Sequence, residues 1–481
     1  MNKEKDVIVS NVMWRFIDKM GTQLISFIIS IVVSRLIDPE SYGKITLINA
    51  FIYIFAIFTD FGLGDSLIQK KDVDELDYST ALIANITLCT IVYLVIFFLS
   101  PYVELFYEID GLATFIRVSS ITILISGYKN IQHCYVARNM LFKKYCIASI
   151  VGTVGAGIIG IYLAFNGYEA WSLIISNLFD VFVDTLICHL SVKWNISFKF
   201  SFERLKNLLN FGVKMLMINF IERVYNKVSQ LITGKIYSSE QLAFYDKGDS
   251  LTYKLTSNID YAISSVLFPA MSKVQENVEK IKDIARQTLK NNTYIIYPLL
   301  IGLMVVADNA VAVIFTEKWL DSVVYIRIFC LIRLLLPICT VNSSITKSLG
   351  ESSLMLRQQT VCRVISLIIL FLTTRISMTA IALGLLVSTI IETIIKSYAN
   401  KKLINYGLIE QIKEIAPTLL ISLIMGIIVY LLSFLSLNVY LKLFIQVLCG
   451  AFVYITLSII TKNESFYEIL SMLKKDKDVK I

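Results

Sequence analysis

Polar residues recur at helical spacing inside apolar segments that are long enough to cross a bilayer. Spacings of three and four residues place side chains on one helix face, so these residues form stripes. The segment that begins near Tyr42 carries Thr46, Asn49, Tyr53, Ala56 and Asp60. The segment that begins near Leu242 carries Asp246, Asp249, Tyr253, Thr256 and Asp260. Hydrocarbon cannot satisfy such groups, so each stripe predicts contact with water or a polar partner, most simply in a water-filled cavity between two halves.

Cations at predicted membrane depth form the second group of candidates. Guanidinium and ammonium groups bind phosphate through charge-assisted hydrogen bonds, so these side chains suit an anionic headgroup such as a pyrophosphate. Tyrosines and amides such as Tyr53, Tyr253 and Asn49 suit sugar hydroxyls. The cations are Arg15, Arg117, Lys129, Arg223, Lys227 and Lys254.

The rival interpretation is that these cations neutralise nearby carboxylates as structural ion pairs. The carboxylates concerned are Asp18, Asp180, Asp184, Glu222 and Asp260. Asp180 and Asp184 stand four residues apart, which suits a shared partner. Three carboxylates, Asp60, Asp246 and Asp260, are candidates to couple transport to a proton or sodium ion.

Several classes of chemistry lack their sequence signals. No GxxxxGK(S/T) phosphate loop occurs, so uphill transport would use an ion gradient, a membrane potential or removal of the product. Only two histidines are present and no cluster resembles a metal site, so no cofactor, metal or catalytic residue is predicted. The eight cysteines lack CxxC spacing and are interpreted as small hydrophobic residues.

Composition places these groups in a polytopic membrane protein. Of 481 residues, 56% are hydrophobic and 17% charged, which excludes a water-soluble fold of this size. Apolar runs predict an all-α chain of about fourteen transmembrane helices. They begin near Trp14, Tyr42, Ser79, Ala113, Tyr145, Glu169, Leu208, Leu242, Asn291, Val323, Met355, Ser377, Glu414 and Tyr440. The segments from Leu208 and Leu242 both carry several charges, so hydropathy alone does not establish them as membrane helices.

Basic residues orient these helices. With both termini in the cytoplasm, the inside segments hold 27 Lys and Arg residues and the outside loops hold 3. Positive charge is retained on the cytoplasmic side, so this asymmetry supports both the orientation and the count of helices. The net charge of +8 is therefore a topological signal with a secondary attraction to membrane lipids, and it does not indicate nucleic acid.

A weak internal repeat predicts the domain organisation. A shift of 200 residues superimposes Arg35 on Lys235, Glu40 on Glu240, Tyr53 on Tyr253 and Asp60 on Asp260. Two parallel lobes related by a pseudo-twofold axis follow, with substrate bound between them. The predicted parts are a six-helix lobe over 1–190, a cytoplasmic linker over 191–207, a second six-helix lobe over 208–398, and two further helices with a basic tail over 399–481. Within the first lobe, Gly152, Ala156 and Gly160 predict close helix packing.

Two motifs near the start carry a family resemblance. Ser34-Arg-Leu-Ile-Asp-Pro-Glu-Ser-Tyr-Gly43 is followed by Asp60-Phe-Gly-Leu-Gly-Asp-Ser-Leu-Ile-Gln69, and both resemble the start of bacterial polysaccharide flippases of the Wzx and teichuronic-acid type. Leu267-Phe-Pro-Ala-Met-Ser272 and Glu317-Lys-Trp319 also match. These motifs occupy roughly the first two thirds of the chain.

The resemblance implies the fold of the multidrug/oligosaccharidyl-lipid/polysaccharide exporter superfamily, with two lobes that open alternately to either side of the bacterial inner membrane. The implied substrate is undecaprenyl pyrophosphate-linked oligosaccharide, and the implied partners are glycosyltransferases and a polysaccharide polymerase. Cationic cavity residues vary in position within the family. Their role therefore passes, as candidates, to Arg15, Arg35, Arg117, Arg223 and Lys227.

Three alternatives remain open. A cation-coupled drug exporter of the same superfamily would favour an acidic, aromatic cavity. A membrane polymerase or glycosyltransferase would need a substantial polar loop on one side, whereas every predicted outside loop is short. An inactive scaffold would leave the polar stripes unexplained.

Overall fold

The computed structural model describes residues 2–59, 62–70, 72–192, 199–206, 208–209 and 227–478, and these residues form helices and no strands. The chain divides into two compact units, Met1–Ala243 (unit 1) and Phe244–Ile481 (unit 2). The lobe and linker boundaries given above stay a prediction.

Unit 1 is built mainly from long apolar helices. Its helices are α1 (Asn2–Leu36), α2 (Pro39–Phe55), α3 (Leu63–Gln69), α4 (Glu75–Tyr107), α5 (Leu112–Ser119), α6 (Ile121–Arg138), α7 (Phe142–Phe165), α8 (Glu169–Ser191) and α9 (227–236), and α10 (Ser239–Ser272) begins in this unit. Helix α7 lies against both α1 and α8, while α4 packs on α6. Each helix of such a bundle satisfies its own backbone hydrogen bonds, as hydrocarbon requires.

Small residues let α7 and α8 approach closely. A Cβ added at Gly152 would lie 3.1 Å from the carbonyl oxygen of Asp180, and one at Gly160 would lie 2.9 Å from Oγ of Ser176. The Ser176 hydroxyl donates to the carbonyl of Ala156 at 2.7 Å. The predicted packing role of this small-residue face is confirmed.

Unit 2 continues with α10 and adds eight helices. They are α11 (Val278–Ile314), α12 (Val323–Leu334), α13 (Leu336–Ser348), α14 (Ser352–Thr373), α15 (Met378–Ile404), α16 (Leu408–Leu431), α17 (Val439–Ile460) and α18 (Glu464–Asp478). Helix α11 contacts α12, α16, α17 and α18, so it forms the centre of the unit. The short break between α12 and α13 coincides with Pro337, which lacks the N–H that would continue a helix.

A buried amide network joins α13, α15 and α16. Asn342 donates to Ser397 at 3.0 Å and to Gln411 at 2.9 Å. Its own oxygen accepts from Asn400 at 2.7 Å and from Gln411 at 2.8 Å. All four side chains are buried. Networks in which every member is satisfied hold one defined arrangement of helices.

Eleven helical stretches among the described residues are long and apolar enough to cross a membrane. They coincide with eleven of the fourteen predicted segments. The other three are the segment from Ala113, which forms α5 and α6, the segment from Leu208, most of which lies outside the described residues, and the charged helix α10.

Candidate functional site

A charged cluster lies within unit 1, where α1, α6, α7 and α8 meet. Lys129 of α6 forms an ion pair with Asp184 of α8 at 2.5 Å, and the Asp184 side chain is only 5% exposed. Asp18 of α1 interacts electrostatically with both Lys129 and Arg15, and Ser149 of α7 lines the same cavity as Asp18. The predicted cation Lys129 is therefore paired, which favours the structural interpretation for this residue.

A polar cavity of about 370 Å³ adjoins this cluster. Its polar lining comes from Arg15, Asp18, Lys19, Thr22, His133, Tyr145 and Ser149. The exposed guanidinium of Arg15 lies 5.4 Å from the centre of the Phe142 ring. Arg15 thus presents positive charge to an open, polar surface of a membrane helix.

The stripe on α2 meets a predicted cation from α9. The ammonium of Lys227 lies 5.5 Å from the centre of the Tyr53 ring and donates to Gln230 at 2.8 Å. Tyr53 and Asn49 are both exposed, whereas Thr46 is buried and bonds to its own helix. The structure therefore brings together Tyr53 and Lys227, two candidates separated by more than 170 residues of sequence.

Arg117 has a local structural function. Its Nε donates to the carbonyl of Phe97 at 3.2 Å and to Oγ of Ser100 at 2.8 Å, and its guanidinium carbon lies 4.2 Å from the centre of the Phe97 ring. Pro101, inside α4, has no N–H to give the carbonyl four residues earlier. The Phe97 carbonyl accepts instead from the Ser100 hydroxyl at 2.8 Å and from Arg117, so both side chains compensate for the proline in α4.

Two acidic residues near Arg117, Glu104 and Glu108, also form contacts that stabilise the local structure. The carboxylate of Glu104 accepts from the backbone N–H of Ala113 at 2.6 Å and caps the start of α5. A hydrogen bond from Lys235, at 2.7 Å, lowers the pKa of the Glu108 carboxyl from its ordinary value. These contacts anchor the turn between α4 and α5.

A second polar surface lies within unit 2. Asp260 of α10 accepts from the Thr340 hydroxyl at 2.6 Å, and Asp249 accepts from Arg333 of α12 at 2.7 Å. Tyr253 lies between these carboxylates along the stripe and is 53% exposed. Asp246 interacts electrostatically with Lys254, which is half-buried. The structure thus gathers Asp246, Tyr253, Lys254 and Asp260 along one helix.

Sequence reasoning missed Arg333. It lies inside an apolar run that reads as a plain membrane helix, and its partner Asp249 comes from a distant helix. The sequence does place this charge four residues before Pro337, a residue that interrupts a helix. Interrupted membrane helices often accompany binding sites, so this spacing could have pointed to Arg333.

Other predicted residues stand apart or lie outside the described part of the chain. Arg35 is exposed at the end of α1. Asp60 and Arg223 lie outside the described residues. Within the described ranges, no group of three or more His, Cys, Asp or Glu side chains is arranged to hold a metal ion.

The family described as "Polysaccharide biosynthesis protein" matches residues 32–324, which is more than half of the chain. The chain belongs to this family. It is 24% identical over 306 residues to the lipopolysaccharide biosynthesis protein WzxC of Escherichia coli (strain K12), covering 63% of this chain and 62% of WzxC. It is 22% identical over 464 residues to the teichuronic acid biosynthesis protein TuaB of Bacillus subtilis (strain 168), covering 94% and 95% of the two chains.

Solved structures show the fold of this family member. The lipid II flippase MurJ, in an inward closed conformation, superposes with a TM-score of 0.76 at 15% identity, covering 95% of this chain and 99% of MurJ. An inward-facing multidrug resistance transporter of the MATE family superposes with a TM-score of 0.60 at 16% identity, covering 82% and 98%. The predicted family and exporter-superfamily fold are confirmed, and the chain is a multi-pass membrane protein.

Proposed function

We propose that this chain is a flippase that moves undecaprenyl pyrophosphate-linked oligosaccharide from the cytoplasmic to the outer leaflet of the bacterial inner membrane. The observation that carries the proposal is a polar surface on two apolar helices. Arg15 and Lys19 of α1 are exposed, as are Asn49 and Tyr53 of α2. Hydrocarbon would leave these groups unsatisfied, so the surface requires water or a polar headgroup beside it.

The chemistry of the surface suits a phosphorylated sugar lipid. Arginine and lysine bind phosphate oxygens, while the Asn49 amide and the Tyr53 hydroxyl suit sugar hydroxyls. In the proposed mechanism the headgroup enters from the cytoplasm, the polyprenyl tail stays in lipid, and the protein exposes the headgroup to alternate sides of the membrane. Both termini lie in the cytoplasm, and a glycosyltransferase supplies the substrate that a polymerase consumes.

A leaflet-accessibility assay tests this function. Proteoliposomes would carry labelled undecaprenyl pyrophosphate-linked oligosaccharide in their inner leaflet, and an external glycosidase would report how much reaches the outer leaflet. The wild-type chain should raise the accessible fraction above that of empty liposomes, and Arg15→Gln with Lys227→Gln should lower it. Lys44→Gln is the matched control, since Lys44 bonds within its own helix to Glu40 at 2.8 Å. Wild-type liposomes that match empty ones would refute the proposal.

The drug-exporter alternative needs a separate measurement. Cells with alanine at both Arg223 and Lys227 would be assayed for surface polysaccharide and for drug resistance. Polysaccharide should fall while resistance stays unchanged, because the two cations recognise an anionic headgroup. Loss of resistance with polysaccharide intact would reverse the assignment.

Coupling to a proton or sodium gradient is a further part of the proposal. Asp246 and Asp260 lie on the polar surface of unit 2, and Asp60 belongs to a matched motif. Neutralising the coupling carboxylate should leave flipping insensitive to an imposed gradient. Gradient dependence that persists in Asp60→Asn, Asp246→Asn and Asp260→Asn would remove all three from consideration.

A further inference from the structure

Arg333 stands at the end of α12 beside the polar stripe of α10. It donates through one terminal nitrogen to Asp249 at 2.7 Å, and its guanidinium carbon lies 5.2 Å from the centre of the Tyr253 ring. It also interacts electrostatically with Asp260. One cation therefore pairs with a carboxylate beside an exposed aromatic ring within unit 2.

The guanidinium is only partly used. It has five N–H donors, and its Nε is buried with no hydrogen-bond partner among the described residues. Leaving a buried donor unsatisfied destabilises the folded protein. A purely structural arginine would be expected to find a second acceptor.

Arg327, on the same helix, provides the internal comparison. It bonds to Asp308 through a terminal nitrogen at 2.5 Å, and its Nε donates to the carbonyl of Met304 at 3.3 Å. Arg204 of unit 1 likewise uses two nitrogens, on Asp77 and Asp74. Arg333 differs from Arg327 because its Nε, which shares an edge with the nitrogen that binds Asp249, has no protein acceptor in the described structure.

The position of Arg333 suits a ligand. The helix is interrupted between α12 and α13, two residues after Arg333. Pro337 offers no N–H to the Arg333 carbonyl. The Asp249 side chain is 35% exposed and Tyr253 is 53% exposed, whereas the Arg333 side chain is 19% exposed, so the guanidinium lies beneath the edge of an accessible surface. Interrupted membrane helices at polar surfaces are a recurring feature of transporter binding sites.

We propose that Arg333 determines specificity for the pyrophosphate of the substrate, and that Asp249 is its internal counter-ion. This inference rests on the proposed flippase function. Asp249 neutralises the arginine while the site is empty of substrate, which limits the cost of a charge at membrane depth. An arriving phosphate displaces Asp249 and forms a two-point contact with Nε and Nη2 of the guanidinium.

The test is binding of undecaprenyl pyrophosphate to the purified full chain in phosphatidylcholine nanodiscs, with undecaprenol as the uncharged comparison. Arg333→Gln should weaken pyrophosphate binding about 10- to 100-fold, the range expected when a charge-assisted contact is lost. Arg333→Lys keeps the charge and loses the two-point geometry, so its affinity should fall between those of wild type and Arg333→Gln. Asp249→Asn should tighten binding, and the matched control Arg327→Gln should bind as wild type does.

Three results would overturn the inference. If Arg333→Gln binds pyrophosphate as tightly as wild type, the residue is not a ligand, while the flippase proposal stands. If Asp249→Asn weakens binding as much as Arg333→Gln, the pair is only structural. If binding disappears when phosphatidylglycerol replaces phosphatidylcholine, bulk anionic lipid occupies the site. A wild-type chain that does not distinguish pyrophosphate from undecaprenol would count against both proposals.

Discussion

Tyr454 of α17 donates its hydroxyl to the backbone carbonyl of Tyr294 in α11, at 2.7 Å. That carbonyl has no donor within its own helix, because the residue four places later is Pro298. Tyr294 in turn donates its hydroxyl to Ser458 of α17 at 2.9 Å. The proline defect in one helix is thus the site at which a neighbouring helix attaches.

Tyr454→Phe should lower the stability of the purified protein by about 1–3 kcal/mol, since it leaves a buried carbonyl without a donor. Pro298→Ala restores the intrahelical N–H, so the same substitution should cost less in that background. Thermal unfolding of the four proteins in detergent measures the difference. Equal losses with and without Pro298 would contradict the interpretation.

Arg117 also bonds to a carbonyl that a proline leaves without its intrahelical N–H, and it is at the same time a candidate substrate ligand. Arg117→Met should destabilise the protein, because the carbonyl of Phe97 then keeps only the Ser100 hydroxyl as a donor, and Pro101→Ala should reduce that loss. Unfolding midpoints of the single and double variants measure the coupling. Unchanged stability combined with weaker substrate binding would instead place Arg117 among the ligands.

Gly43, the last residue of the first matched motif, has to be a glycine because the backbone of Ser239 lies directly against it. A Cβ there would lie 1.7 Å from the carbonyl oxygen of Ser239, and both residues are buried or partly buried in unit 1. Gly43→Ala should therefore destabilise the fold by about 1–3 kcal/mol or more. Gly302→Ala is the control, because its nearest neighbour is a methionine methyl at 3.8 Å. Comparable yield and unfolding midpoint for the two variants would refute the packing argument.

Variants of the ion pair between Lys129 and Asp184 test whether the pair serves stability or transport. Lys129→Met alone strands a buried carboxylate and should cost about 3–5 kcal/mol. Lys129→Met with Asp184→Leu removes both charges and should recover most of that stability. If the pair is purely structural, the double variant also recovers polysaccharide export. A stable double variant without export would assign the pair a functional role.

Much of the fold follows from hydropathy, and the exceptions have physical reasons. Eleven predicted membrane segments coincide with apolar helices because burial in lipid depends mainly on composition. Helix α10 fails the same criterion, since it carries charges such as Asp246, Lys247 and Asp249 that only tertiary partners make tolerable. Local composition does not contain those partners.

The candidate residues divide along the same line. Spacing along one helix predicts which side chains share a face, so the stripes that contain Tyr53, Tyr253 and Asp260 follow from the sequence. Spacing along a helix carries no information about contacts between helices. Neither the contact of Arg333 with Asp249 nor that of Arg117 with Phe97 was therefore predicted. Pro101 is visible in the sequence, but Arg117, which donates to the carbonyl four residues before it, comes from another helix.

The amide network of Asn342, Asn400 and Gln411 constrains how the protein is made. Helices α13 and α15 are synthesised before α16, so Asn342 must enter the bilayer before its partner Gln411 exists. Until then its carboxamide has Ser397 and Asn400 as partners and needs water or another polar group for the hydrogen bonds that Gln411 later supplies. Unit 2 can therefore complete this network only after α16 has been made, and a chain ending at Ile404 would leave the Asn342 amide partly unsatisfied.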